Sequence, residues 1–315
     1  MKIWWKELPK GMLRMFAKVP LVETAARYIL SQRKTPSAPS YEIPEVAPIR
    51  PRASISKSLR LNLLIPSINV SDSFGGIPTA VRIFEQLGNI LQTTSDVVLR
   101  IIVTDIQTTD ELVVDLTKWR LLESKDSDYR YQILELDNTL AHTIPLSRHD
   151  VLVATWWPTA VRAQRLRAWQ EESFGRPIAP MIYIIQDFEP GFYPWSSRYA
   201  YAETTYVDGA NTVAIFNSSL LRTYFEKRGY SFLRTYHFEP RLSSTLKTHL
   251  KPNTSKDRRI LVYGRPSSAR NCFEVICAGL KEWAQTSQEA QKWTIISAGE
   301  KHANGDRPGT WRRGR

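Results

Sequence analysis

Two carboxylates follow a short apolar run near the middle of the sequence. The segment YIIQDFEPGFYPW (183–195) loses its apolar character after Ile185 and continues with Gln186, Asp187 and Glu189 before a Pro-Gly turn. A carboxylate in a cleft can accept a proton from an attacking hydroxyl group or orient it. Residues two apart in extended backbone point to the same side, so Asp187 and Glu189 are candidate catalytic residues. The alternative is that both acids cap backbone groups or pair with arginines.

A pair of glycines, Gly75 and Gly76, offers a second kind of chemistry. They lie in PSINVSDSFGGIPTAVR, between an apolar run and an amphipathic stretch expected to become helical near Thr79. Glycine backbone can approach a ligand closely, and the first N–H groups of a helix favour an anion. The stretch matches neither GxGxxG nor GxxxxGK[ST], so a generic loop remains the alternative to a diphosphate site.

An arginine and a tryptophan pair also follow apolar runs. Arg265, with Arg270 close behind, comes directly after ILVYG and could neutralise phosphate through charge-assisted hydrogen bonds, unless both are ordinary surface arginines. Trp156 and Trp157 stand where a strand is expected to give way to a helix that starts with proline. They could form a wall for a sugar ring or simply pack in the core.

The elements that must position these residues alternate along the chain. Apolar runs without strict polar alternation, separated by amphipathic stretches, indicate parallel strands covered on both faces. The predicted strands are 59–66, 96–105, 150–157, 177–187 and 211–218, with helices at 79–91 and after Ser218; a second α/β unit starts with strands 258–266 and 292–300. In such folds ligands bind at the carboxyl ends of the strands, where all four candidate segments lie.

Composition sets the expected partners and the domain plan. The net charge of +12 favours anionic partners, but no nucleic-acid motif is present, so we expect no nucleic-acid binding. Two cysteines, no long apolar span and no signal peptide indicate a cytoplasmic protein. The domain plan is a basic amphipathic segment (1–34), a Pro-rich linker (35–57), a Rossmann-like domain (58–255), the start of a second domain (256–300) and a disordered tail (301–315).

The first of these segments raises a question of location. Residues 1–34 hold eight Lys or Arg against two Glu, together with Trp and Phe residues. A basic helix of this kind suits peripheral contact with the anionic inner face of the plasma membrane. Packing against the protein's own body is the alternative.

Four segments together resemble one known family. FGGIPTAVRIFEQL, YIIQDFEPGFYPWSSRYAYAETTY, AIFNSSLL and ILVYGRPSSARNCFEVICAGL resemble the bacterial rhamnosyltransferases of the rhamnan synthesis F type, which have the GT-B fold. The resemblance implies two Rossmann-like domains facing across a cleft and a donor, dTDP-L-rhamnose, used without a cofactor or metal. It further implies a lipid-linked or polysaccharide acceptor and a cell-surface rhamnan or O-antigen product.

The resemblance also implies roles for individual residues. Gly75, Gly76 and Arg265 would bind the donor phosphates, and Asp187 and Glu189 would be the catalytic acids. The acceptor would be bound by Trp156, Trp157, Gln186 and Phe188.

The second α/β unit is short for this family. Residues 256–300 hold two predicted strands and one helix, which bury little surface. We therefore expect a truncated or frameshifted relative with weak or absent donor binding, a loss that could abolish its activity. A non-catalytic glycan-binding or assembly module is the alternative function.

Overall fold

A computed structural model describes residues 43–72, 75–122, 127, 129–136, 143–242, 244–251, 255–300 and 311–313. Residues 1–34, for which the sequence predicts a basic helix, lie outside the described residues. The chain divides into two compact units, residues 1–47 and 48–315. In the first, Pro44–Val46 forms one turn of 3-10 helix; all that follows concerns the second.

The second unit is built on one large parallel sheet, which confirms the predicted α/β class. In chain order the elements are β1 (Arg50–Ala53), β2 (Leu59–Ile65), α1 (Gly76–Leu91), β3 (Val97–Val103), β4 (Arg120–Leu122), β5 (Tyr131–Glu135), β6 (Thr143–Leu146), β7 (Asp150–Ala154), α2 (Trp157–Phe174), β8 (Met181–Ile185), α3 (Ser197–Thr204), β9 (Thr212–Phe216), α4 (Ser219–Lys227), β10 (Arg234–His237), α5 (Ser244–Lys247), β11 (Arg259–Gly264), α6 (Phe273–Thr286), β12 (Thr294–Gly299) and β13 (Trp311–Arg313). The eight strands of the large sheet follow the order β10-β9-β8-β7-β2-β3-β5-β4. Every neighbouring pair is parallel.

Both faces of this sheet are buried. Along β2, Leu61, Leu63 and Ile65 pack on one side with Ala80 and Phe84 of α1. The side chain of Leu64, between Leu63 and Ile65 in the same strand, points to the other face of the sheet, into a cluster that includes residues of α2 and α4. Burial on two faces explains why the strands have continuous apolar sequences. No helix among the described residues is long and apolar enough to cross a membrane.

Several strands have no clear signal in the sequence. The predicted linker 35–57 contains β1, which pairs in parallel with β6 in a separate two-stranded sheet. Pro51 of β1 lacks an N–H group, which is tolerated in so small a sheet with open edges. Strands β4, β5 and β10 are only three to five residues long and each includes at least one polar residue, so periodicity alone does not reveal them.

The second predicted α/β unit forms its own sheet, in the order β11-β12-β13. All three strands are parallel, and α6 connects the first two. Residues 311–313 form β13, so the prediction of a disordered tail is wrong for these three residues; the remainder of 301–315 lies outside the described residues. The GT-B arrangement of two domains stays a prediction.

A buried ionic network lies where the central strands begin. Arg60 Nε donates to Asp150 Oδ1 at 2.5 Å, and Arg60 Nη2 donates to Oδ2 at 2.8 Å. Arg100 donates to Asp150 Oδ1 and to the side-chain oxygen of Asn62, whose amide also donates to Asp150. Burial disfavours the Asp150 carboxylate, but the Arg60 hydrogen bond and the two arginine charges outweigh it and hold its pKa below the usual range.

Replacing Asp150 with Asn should destabilise the protein strongly. Two buried guanidinium groups would lose their counter-ion, which costs about 3–5 kcal/mol in free energy of unfolding. Urea unfolding at neutral pH measures the change. Asp96→Asn removes an exposed partner of Arg130 and is the matched control, for which we expect little change.

The same network predicts a pH dependence. Because the folded-state pKa of Asp150 is depressed, its contribution is complete above the unfolded-state pKa and is lost as pH falls through the folded-state value. Equal stabilities of Asp150→Asn and the unaltered protein at neutral pH would contradict this account of the network.

Candidate functional site

An open cavity of about 1260 Å³ lies at the carboxyl ends of the large sheet's strands. Its walls come from the segments that follow β2, β7, β8, β9 and β10, together with the first turns of α1. Arg270, between β11 and α6, completes the lining. Carboxyl ends of parallel strands are the usual ligand site in this class of fold.

The glycine pair lies at the cavity, as the sequence predicts. Gly75 is the N-cap of α1 and Gly76 its first residue, three residues before the expected start at Thr79. A Cβ atom added to Gly75 would meet no atom within 4 Å, so open space lies in front of this backbone. Gln186 Nε2 donates to the carbonyl oxygen of Gly76 at 3.0 Å and ties the turn to the end of β8.

Asp187 is exposed to the cavity and pairs with an arginine. Its Oδ2 atom accepts a hydrogen bond from Arg270 Nη1 at 2.5 Å, while its Oδ1 atom accepts from the Phe188 N–H at 2.8 Å. About half of each charged side chain is exposed, 48% for Asp187 and 47% for Arg270. Both can therefore reach a ligand without unfolding of the wall.

Glu189 lies in an opposite environment, although it too borders the cavity. The chain leaves the extended conformation after β8, and Glu189–Phe192 forms a 3-10 turn in which Glu189 is 3% exposed. Its Oε2 atom accepts hydrogen bonds from the Trp157 N–H at 2.6 Å and from the Tyr183 hydroxyl at 2.9 Å. Glu189 thus joins β8 to the first turn of α2.

Burial decides the protonation of Glu189. It raises the pKa of the Glu189 carboxyl from 4.5 to about 8, against the two hydrogen bonds, which lower it. Burial and the nearby Glu189 also raise the pKa of the Tyr183 hydroxyl well above its usual value. At neutral pH Glu189 is therefore mostly a neutral acid, whereas the exposed Asp187 faces an arginine.

Trp156 and Trp157 lie in different environments, one at the cavity and one in the core. Trp156 lines the cavity. Trp157 is fully buried and donates its indole N–H to the Tyr193 hydroxyl at 3.1 Å, so its predicted contact with an acceptor does not fit its position. Pro158 follows within the first turn of α2, as the sequence predicts.

Two other predicted site residues do not line the cavity. Phe188 packs among the rings of Tyr206, Phe225 and Tyr230, because its side chain points away from the cavity into this cluster. Arg265 pairs with Glu300 at 3.4 Å. Arg270, five residues later on the same connection, occupies the cavity position that the sequence assigned to Arg265.

Two further arginines of the cavity wall were not predicted. Arg82 on α1 and Arg241 after β10 line the cavity. Neither has a carboxylate partner among the described residues; Arg82 lies 5.9 Å from the ring centre of Phe238. The position of Arg82, in the second turn of the helix that follows the glycines, was a usable signal, whereas Arg241 follows a strand that periodicity misses.

No group of His, Cys, Asp or Glu suited to holding a metal ion occurs within the described ranges. The arrangement instead offers cationic side chains and helix N–H groups to an anion, beside the half-exposed carboxylate of Asp187. The expectation of catalysis without a metal stays a prediction.

Comparison with known proteins finds two matched segments, which together contain most of the site. Residues 60–219 match the family model described as WsaF, N-terminal domain, and residues 258–311 match WsaF, C-terminal domain. The first segment, just over half of the chain, contains Gly75, Asp187 and Glu189; the second contains Arg270. The O-antigen biosynthesis protein RfbC of Myxococcus xanthus is 33% identical over 141 residues, which is 44% of this chain and 10% of that protein. This chain thus matches only a small part of that relative's length.

The Glu189→Gln variant should change the pH dependence of stability. Because the folded-state pKa of Glu189 is raised, its contribution is complete below the unfolded-state pKa near 4.5 and is lost as pH rises through about 8. Gln has a similar shape and does not ionise. The free energy of unfolding of the variant should therefore increase relative to that of the unaltered protein as pH rises. Urea unfolding at several pH values measures this, and parallel profiles from pH 5 to 8 would contradict the burial of an ionisable group.

Proposed function

Since this chain belongs to the WsaF family, we propose that it is a glycosyltransferase of cell-surface polysaccharide synthesis. The observation that carries the proposal is one cavity with Asp187 on one wall and Arg82, Arg241 and Arg270 around it. The name of the Myxococcus xanthus relative, an O-antigen biosynthesis protein, supports the same process. The finer assignment is transfer of a rhamnosyl unit from dTDP-L-rhamnose to a growing rhamnan or O-antigen chain.

The donor's diphosphate is proposed to occupy the arginine side of the cavity. Open space in front of Gly75 and the N-terminus of α1 suit a phosphate oxygen. Arg82, Arg241 and Arg270 supply charge that a leaving diphosphate requires. Arginine and backbone N–H groups that are already in position before the reaction stabilise the negative charge on the diphosphate as it develops, without a metal ion.

The proposed reaction uses Asp187 as the general base. The Asp187 carboxylate takes the proton of an acceptor hydroxyl, whose oxygen forms a bond to the anomeric carbon of the donor. The bond from that carbon to the diphosphate oxygen breaks, and its electron pair leaves with the diphosphate. Trp156 and Gln186, which line the cavity beside Asp187, are proposed to contact the acceptor.

The Arg270–Asp187 hydrogen bond couples donor binding to this step. This hydrogen bond occupies the Oδ2 atom of Asp187, and its Oδ1 atom already accepts from the Phe188 N–H, so both oxygens have partners. A diphosphate would compete for Arg270 and release Asp187 to accept a proton. Asp187 would then become available as a base only after the sugar nucleotide has bound. This order limits proton transfer in the absence of the sugar nucleotide.

Glu189 receives a supporting role in this proposal. A carboxyl group that stays mostly neutral below pH 8 is a poor proton acceptor. Its two hydrogen bonds instead fix the turn that carries Asp187. This replaces the catalytic role expected for Glu189 from the sequence.

Arg270→Ala should weaken binding of dTDP-L-rhamnose by about 10- to 100-fold, because a charge-assisted hydrogen bond contributes about 1.5–3 kcal/mol. Titration calorimetry on the full chain measures this. Arg258→Ala is the matched control, since Arg258 also carries an exposed ion pair, with Glu289, but does not line the cavity. Equal donor affinity in all three proteins would contradict the phosphate assignment.

Asp187→Asn tests the chemical step separately. A lost general base lowers the rate by about 10²- to 10⁴-fold, whereas donor affinity should stay the same or rise, since Arg270 loses its competing carboxylate. Transfer to rhamnose oligosaccharides, followed by chromatography, measures the rate. Oligosaccharide binding with no product from the unaltered protein would favour a glycan-binding module instead.

A further inference from the structure

Two aromatic side chains lie on the surface beyond the reaction cavity. Trp195 is 81% exposed, and its ring centre lies 5.2 Å from that of Tyr199, with the ring planes at 50°. We call Trp195 and Tyr199 the aromatic platform. A tryptophan this exposed gains little from the hydrophobic effect in the folded chain.

The backbone on both sides of the platform is held in place. Before it, the Tyr193 hydroxyl accepts a hydrogen bond from the buried indole of Trp157. After it, Ser196 caps α3, and its hydroxyl oxygen accepts from the Tyr199 N–H at 3.3 Å. The rings are therefore presented by anchored backbone, so binding would cost little ordering of the chain.

A purely structural explanation accounts for only part of this arrangement. Trp195 directly precedes the N-cap Ser196, and an apolar contact from this position to the first turn can fix the start of a helix. Such a contact stabilises by excluding water, yet four-fifths of the Trp195 side chain remains exposed. A smaller apolar residue would make the same contact at less cost.

The platform follows a residue of the cavity wall closely in the sequence. Phe192 lines the cavity three residues before Trp195, and the Arg270 guanidinium lies 4.2 Å from its ring centre. The segment 187–195 thus leads from the candidate base to the exposed rings. Three residues of chain span at most about 11 Å, which limits the distance between the Cα atoms of Phe192 and Trp195.

We infer that the aromatic platform binds a sugar ring of an extended acceptor glycan, outside the site of transfer. A pyranose has an apolar face of C–H groups that stacks on flat aromatic rings, while its hydroxyl groups remain in water. A tryptophan with an apolar ring and a polar N–H suits such a half-exposed partner. The inference rests on the proposed function, and it specifies the acceptor as an oligosaccharide rather than a single sugar.

The test measures how affinity depends on acceptor length. The probes are a rhamnose disaccharide and a rhamnose tetrasaccharide, titrated into the full chain and observed by ligand NMR. Trp195→Ala should weaken tetrasaccharide binding about three- to tenfold, in line with the size of aromatic contacts, and leave disaccharide binding unchanged. Trp195→Phe keeps a flat ring and should retain most of the affinity.

A control variant and an unfolding measurement separate glycan binding by Trp195 from a general effect of exposed apolar residues and from a role in folding. Leu220→Ala removes an equally exposed apolar side chain, 81%, on α4 and should change nothing. Thermal unfolding of Trp195→Ala shows whether α3 depends on the contact. Loss of affinity for both probes together with lower thermal stability would overturn the inference in favour of a structural contact.

Failure of the inference and failure of the proposed function give different results. Normal donor affinity with unchanged tetrasaccharide binding in Trp195→Ala overturns the platform alone. Length-dependent loss in a protein that binds no dTDP-L-rhamnose supports the platform and overturns the glycosyltransferase proposal.

Discussion

The arrangement of the site depends on one buried carboxyl oxygen. Oε2 of Glu189 accepts hydrogen bonds from the Trp157 N–H and the Tyr183 hydroxyl, which belong to α2 and β8. In a low-dielectric environment the neutral acid costs far less than the anion. Its proton then resides on the other oxygen, and Oε2 is free to accept from both donors. Without this acceptor, a helix N–H and a tyrosine hydroxyl would be buried without a hydrogen bond.

The Glu189 carboxyl group fixes the turn Glu189–Phe192, which forms part of the cavity wall. Asp187 precedes Glu189 by two residues and Phe192 follows it by three, and both line the cavity. Two carboxylates that stand two residues apart in the sequence thus lie in different environments. One stays neutral and supports the turn, while the other faces solvent, where it can exchange one partner for another.

Much of the fold could be predicted from the sequence because the strands of the central sheet are buried on both faces. The runs that form β2, β3 and β8 are mostly apolar and begin or end within a few residues of the predicted bounds. Strand β10 was missed because RTYH carries no such signal. Strand β1 was missed since prolines in its neighbourhood suggested a linker.

The candidate site was predictable to the level of segments, not of side chains. Strand ends could be located, so Gly75, Gln186 and Asp187 were found. The turn 265–271 could not be built from its sequence; there Asn271 accepts a hydrogen bond from the Arg265 N–H, and the arginine that reaches the cavity is Arg270. Trp157 and Phe188 show the ambiguity of aromatic residues, which suit a sugar ring and a core equally well.

The buried network at the far end of the sheet has a consequence for how its strands align. Arg60 lies directly opposite Asp150 on β7, and Asn62 lies directly opposite Arg100 on β3. A slip of one residue between β2 and either neighbour would turn a charged side chain to the opposite face of the sheet, where it would be buried among apolar side chains without a partner. The purely apolar ends of these strands, LLI (63–65) and IIV (101–103), would tolerate such slips far better. The charges therefore select one register, and that register sets where each strand stops and which loops meet.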